Sequence, residues 1–98
     1  MSVLVTLRIK ADAERLEAED PAALQRALDR ARQHGMISHQ FYATDTEILG
    51  IDEWPDEGSF KKFFESTPEV ADIMAHAGIT EEPEIKFWRK LDTADSFG

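Results

Sequence analysis

The chain contains neither cysteine nor asparagine among its 98 residues. The first absence excludes disulfides, cysteine-based metal sites and thiol nucleophiles. Basic residues are also scarce: 11 Lys and Arg stand against 20 Asp and Glu, a net charge of −9. Neutralising a phosphate backbone takes clustered Lys and Arg, so no nucleic-acid partner is expected. The basic pair Lys61-Lys62 sits beside two phenylalanines on a predicted helix and reads as a solvated face. No apolar run approaches the roughly 18–20 residues of a membrane span, and no basic-then-apolar segment opens the sequence. The expectation is a chain without a membrane partner, cytoplasmic by default. Glycine-rich phosphate loops, Gly-x-Ser-x-Gly and nucleophilic triads are absent too.

What remains is a well-punctuated α+β pattern. Val3, Val5, Leu7 and Ile9 alternate with Leu4, Thr6, Arg8 and Lys10, the period of a strand. Ala11 to Glu19 suits a short helical turn. Asp20-Pro21 then supplies a cap and a first-turn proline, Leu24, Ala27, Leu28 and Ala31 follow at helical spacing, and Gly35 ends the helix. Met36–Ala43 and Glu47–Trp54 read as strands of a hairpin turned by Thr44-Asp45-Thr46. Pro55-Asp56 opens a helix bearing Phe60, Phe63 and Phe64. Thr67-Pro68 gives it a fresh cap and predicts either a bend or two helices in succession, and Gly78 closes it. Glu84–Leu91 is the last predicted strand, with Ile85, Phe87 and Leu91 on one face, and 92–98 is a polar tail.

The order β-α-β-β-α-β predicts one domain over 1–98, a ferredoxin-like four-stranded antiparallel sheet with both helices on one face. The other face is then bare. Each strand gives it an apolar residue (Leu4 or Val3, Met36 or Ile37, Ile48 or Leu49, Trp88 or Phe87), so a homodimer packed through the sheet faces is expected.

The stretch from Ile48 to Met74, ILGIDEWPDEGSFKKFFESTPEVADIM, resembles the antibiotic-biosynthesis-monooxygenase-like domains of the dimeric α+β barrel superfamily. The likeness lies in a strand ending Asp52-Glu53-Trp54, a polar Pro55-Asp56-Glu57 turn, the aromatic helix Phe60 to Phe64, and the Ser66-Thr67-Pro68 restart. It implies a small-molecule enzyme or binder similar to cofactor-free monooxygenases acting on aromatic or quinol-like compounds. No cofactor and no metal is implied. Heme-degrading relatives carry an Asn, a helical Trp and a heme-ligating His. This chain has no Asn, and Phe64 and Ile73 stand at the other two places, so heme degradation is not expected.

Three histidines are the candidate chemistry. His34 and His76 precede Gly35 and Gly78 in the last turns of helices, where a cationic side chain is favoured by the helix dipole. His39 lies mid-strand, facing a core or a pocket. It is the candidate general base or ligand donor, and a satisfied structural histidine is the competing reading. Asp52 and Glu53 alternate in direction on a strand and cannot share a substrate, so one of them faces inward. Trp54, Phe64 and His76 are the candidate ligand-binding residues for a planar ligand held between sheet and helices, with core packing the alternative for the aromatics. A non-catalytic dimeric ligand-binding or interaction module is the alternative function.

Overall fold

The structure, a computed structural model, describes residues 2–98. The elements run β1 (Val3–Lys10), α1 (Ala13–Glu17), α2 (Pro21–Gln33), β2 (Ser38–Ala43), β3 (Glu47–Trp54), α3 (Glu57–Ser66), α4 (Pro68–His76) and β4 (Glu84–Trp88). The strands form one antiparallel sheet in the order β2-β3-β1-β4, the ferredoxin-like arrangement.

Helix boundaries follow the caps in the sequence. Asp20 accepts from the Ala22 amide at 3.1 Å ahead of Pro21, and Gly35 takes a φ of 101° past the end of α2. Asp56 accepts from the Ser59 amide at 2.7 Å and starts α3. That bond holds the Asp56 carboxyl below the usual carboxylate range, with the Ser59 hydroxyl adding to it. Pro68 cannot continue the α3 hydrogen-bond ladder, so the segment is two helices. Thr67 occupies the cap position of α4 without acting as a cap: its side chain makes no hydrogen bond, and its buried Oγ1 has no partner among the described residues.

The last strand is shorter than its apolar pattern suggests. Pairing of β1 with β4 places Leu4 opposite Trp88, so residue 91 falls beyond the end of β1 and Leu91 is 57% exposed instead of packing beside Ile85 and Phe87.

Alternation divides the sheet cleanly. Val5, Ile9, Ile48 and Trp54 point toward the helices and are buried. One core cluster joins Val5, Ala31, Trp54, Phe60 and Phe63, and a second joins Ile9, Leu16 and Ile48. No residue of β2 belongs to either cluster, and nearly the whole strand is exposed. It is an edge strand whose helix-facing side projects past the core as a ledge.

The opposite face departs from the expected apolar surface. Leu4, Leu49, Ile51 and Trp88 are there, but so are Arg8, Lys10, Glu47, Glu53, Glu84 and Lys86. Arg8 pairs with Glu47 at 2.7 Å. The face therefore has an apolar end near Leu4 and Trp88 and a charged end near Arg8.

Candidate functional site

The hairpin register builds the site. Thr44 closes the turn, its amide donating to the Glu47 carbonyl at 2.9 Å and its Oγ1 accepting from the Glu47 amide at 3.0 Å. With that turn fixed, Ala43 stands opposite Ile48, Phe41 opposite Gly50, and His39 opposite Asp52. All six share the helix side of the sheet, because residues directly opposed across a ladder point the same way.

Asp52 is the acid that faces inward, at 6% exposure. It caps no helix. Its Oδ1 lies 2.5 Å from His39 Nδ1, and its Oδ2 accepts from the Trp54 indole Nε1 at 3.4 Å. A carboxylate can only accept, so the His39 proton sits on Nδ1 and the lone pair of the neutral ring sits on Nε2. Among the described residues Nδ1 is the ring nitrogen with a hydrogen-bond partner, and the side chain is about one-third exposed. Glu53 faces the other way and accepts from the Ser2 hydroxyl at 2.6 Å. The two neighbouring acids thus serve opposite faces, as the strand geometry requires.

Trp54 is fully buried at 0% exposure, with Phe60 and Phe63 centred 5.7 and 5.4 Å away. It reaches the site through Asp52, as an orienting donor on a rigid wall. Phe64 packs with Phe60 at 5.5 Å against the first core cluster. These aromatics fill the interval between sheet and helices in which a planar ligand was expected.

His76 is not brought to this group. It ends α4 with its side chain 71% exposed, and its Nδ1 lies 3.3 Å from the buried Glu19. Arg15 donates to the His76 carbonyl at 3.3 Å, so α1 and the turn after it grip the α4 terminus. That end of α4 packs near Ile48, through Ile73, four residues along β3 from Asp52, or about 13 Å at the usual strand rise. His34 caps α2 and meets Phe63 edge-on at 5.9 Å.

Phe41 is the residue that sequence reading missed. Its ring is centred 4.6 Å from the His39 ring at 83°. Two open clefts lie elsewhere. One of about 390 Å³ is lined by Arg8, Lys10, Glu47, Glu81, Glu82 and Glu84. The other, of about 210 Å³, lies by Arg8, Tyr42 and Leu49. His39 borders neither, and its access is by way of the ledge.

The comparisons with known proteins fit this architecture. SnoaB, a cofactor-independent oxygenase from Streptomyces nogalater, superposes with a TM-score of 0.68 over 97% of this chain and 98% of its own, at 14% identity. A crystal structure of an antibiotic biosynthesis monooxygenase gives 0.63 over 93% and 99%, at 10% identity. The fold is that of the antibiotic-biosynthesis-monooxygenase-like domains. The NE2512 protein of unknown function from Nitrosomonas europaea shares it, at a TM-score of 0.63 and 19% identity over 99% of this chain and 96% of that one. No family model and no curated protein matches the chain. What the monooxygenase-like fold supplies is the frame: a β2–β3 hairpin at the sheet edge and helices stacked over β1 and β3.

Proposed function

We propose that this chain is a small-molecule enzyme of the cofactor-free oxygenase kind, in which His39 removes a proton from a planar, phenol- or quinol-like substrate. The observation that carries the reading is the His39–Asp52 pair, 2.5 Å apart with the carboxylate buried and the imidazole about one-third exposed. Asp52 fixes the tautomer and balances the charge that forms when Nε2 takes a proton. Trp54 holds the far oxygen of Asp52, so the carboxylate plane stays aimed at the ring.

The chemistry asked of the protein is small. An anthrone-type substrate has a carbon acid whose anion is electron-rich enough to react with dioxygen directly. His39 takes one proton from that methylene, and the carbanion's electrons go to dioxygen. Loss of the second hydrogen and cleavage of the O–O bond leave a carbonyl on carbon and one water. The balance is CH2 + O2 → C=O + H2O, with all four electrons supplied by the substrate. The protein contributes deprotonation and positioning.

The test is oxygen uptake with anthrone. General-base catalysis typically contributes about 10²- to 10⁴-fold, and His39→Gln is expected to lose roughly that factor in kcat with the fold intact. An unchanged rate in the variant removes the proposed role.

The partner reading is a homodimer through the open sheet face. Trp88 supports it: its indole donates to Thr6 Oγ1 at 2.8 Å and is held against β1 beside Leu4, half exposed. A non-catalytic dimeric module remains the second reading, favoured by the filled interval between sheet and helices.

A further inference from the structure

Five of the aromatic side chains on the helix side of the sheet, Trp54, Phe60, Phe63, Phe64 and Phe87, pack in or against the core. Phe41 does not. It belongs to neither core cluster and is 44% exposed, yet it points to the same side of the sheet as the buried Asp52. A large apolar side chain left open on that side has no stabilising role that its burial explains.

Its position is prepared by Gly50, the residue directly opposite. A Cβ on Gly50 would stand 3.1 Å from Phe41 Cε1, tighter than an ordinary van der Waals contact. Glycine inside a strand weakens it, and it recurs where another group must approach the backbone closely. Here that group is the Phe41 ring, which leans over β3 because no side chain props it up. In that position Phe41 stays 44% exposed. Beside it stands His39, its ring nearly perpendicular at 83° with centroids 4.6 Å apart.

We propose that Phe41 is the recognition platform of the site. A planar, electron-rich ring stacks on its exposed side and thereby presents its acidic hydrogen to His39 Nε2. This rests on the reading of His39 as the base, and it narrows the substrate class to flat aromatic carbon or oxygen acids. The platform selects for a π-face, because offset stacking rewards aromatic over saturated rings of equal size. Gly50 acts as a positioning residue, setting how low the platform lies. Entry is from the open edge of the sheet, along β2, so ligand size is bounded on the β3 side alone.

The experiment pairs 1-naphthol with its saturated counterpart decahydro-1-naphthol. Both are titrated by NMR into the full chain and into Phe41→Leu, Phe41→Trp and Gly50→Ala, with anthrone turnover measured alongside in the same variants and in His39→Gln. The platform predicts ring-current shifts at the Phe41 resonances with 1-naphthol. Affinity for it should fall roughly three- to tenfold in Phe41→Leu, in keeping with the worth of an aromatic pair, and should be retained in Phe41→Trp. Decahydro-1-naphthol should bind alike to both. In turnover, Phe41→Leu should raise KM for anthrone by a similar factor, and Gly50→Ala should follow it. Unchanged 1-naphthol affinity in Phe41→Leu, with His39→Gln inactive, overturns the platform and leaves the base in place. Full turnover in His39→Gln overturns the base and, with it, the presentation of a hydrogen by Phe41. Failure of 1-naphthol to bind the wild-type chain at millimolar concentration overturns the proposal altogether.

Discussion

Trp54 donates its indole N–H to Asp52, two residues earlier on the same strand and on the same face, at 3.4 Å. The bond is long, yet it joins the most deeply packed aromatic of the core to the one carboxylate that touches His39. Trp54→Phe keeps a ring between Phe60 and Phe63 but removes three buried heavy atoms, the donor nitrogen among them, leaving a small cavity. The hydrogen bond nets about 1 kcal/mol and the cavity adds to it, so a thermal melt should show a fall of several degrees or more. The kcat for anthrone should fall severalfold with KM unchanged. A KM effect alone would mean that Trp54 meets the ligand directly.

Asp52→Asn tests the tautomer. An amide can donate to Nδ1 as well as accept from it, so the ring can settle with its proton on Nε2 and lose its basic nitrogen. Nitrogen-detected NMR of the labelled imidazole should show the His39 tautomer reversed, and kcat should drop by about 10²-fold or more. Retained Nδ1–H with retained activity would count against the assignment.

Thr67→Val is expected to stabilise. Among the described residues the buried Oγ1 has no hydrogen-bond partner, and the Thr67 side chain makes no cap bond. Its backbone sits in the extended region, at φ −113° and ψ 94°, which a β-branched residue before proline tolerates. Removing an unsatisfied buried hydroxyl relieves about 1–3 kcal/mol of desolvation. Denaturant unfolding should show a higher midpoint at unchanged slope, whereas a lower midpoint would reveal a partner for the hydroxyl.

Asp56 gives a pH dependence with a defined sign. Its carboxyl is lowered in the folded chain by the Ser59 amide and hydroxyl. Its contribution is therefore complete above the unfolded-state value, about 3.9 for Asp, and is lost as pH falls through the folded value. Asp56→Asn still accepts the cap bond but cannot titrate. The melting-temperature gap between wild type and variant should narrow as pH is taken from 6 to 2. A gap that stays constant would mean that the cap does not depend on charge.

The open face predicts self-association. Leu4→Lys with Trp88→Lys places cations at its apolar end, against a second copy bearing the same cations. Sedimentation at micromolar concentration should show twice the 11.1 kDa chain mass for wild type and the single mass for the variant. A monomeric wild type would contradict the pairing.

Much of this is legible in the sequence. The cap at Asp20, the helix start at Pro55-Asp56, the break at Pro68, read as either a bend or two helices, and the apolar face of Val5 and Ile9 follow from short-range rules, and each stands in the structure. The His39–Asp52 contact is non-local and was not seen, although its signal was present. A turn at Thr44-Asp45-Thr46 that seats Ala43 opposite Ile48 also seats Phe41 opposite Gly50 and His39 opposite Asp52. Counting outward from that turn would have found both pairs. The mixed open face was missed for another reason. Alternation assigns a residue to a side, but only the β1–β3 register brings Arg8 and Glu47 close enough to make one end of that side ionic.

The edge strand β2 carries a further consequence. From Ser38 to Ala43 it has no Lys, Glu, Asp or Pro, and Ile37, Phe41 and Tyr42 are all exposed at or beside it. Such an edge lacks the usual gatekeepers against strand-to-strand docking by other chains. Against such docking stands long-range repulsion from a net charge of −9. That repulsion shrinks to a Debye length of about 10 Å at 0.1 M salt and about 3 Å at 1 M. The open β2 edge thus makes the chain's colloidal stability depend on ionic strength.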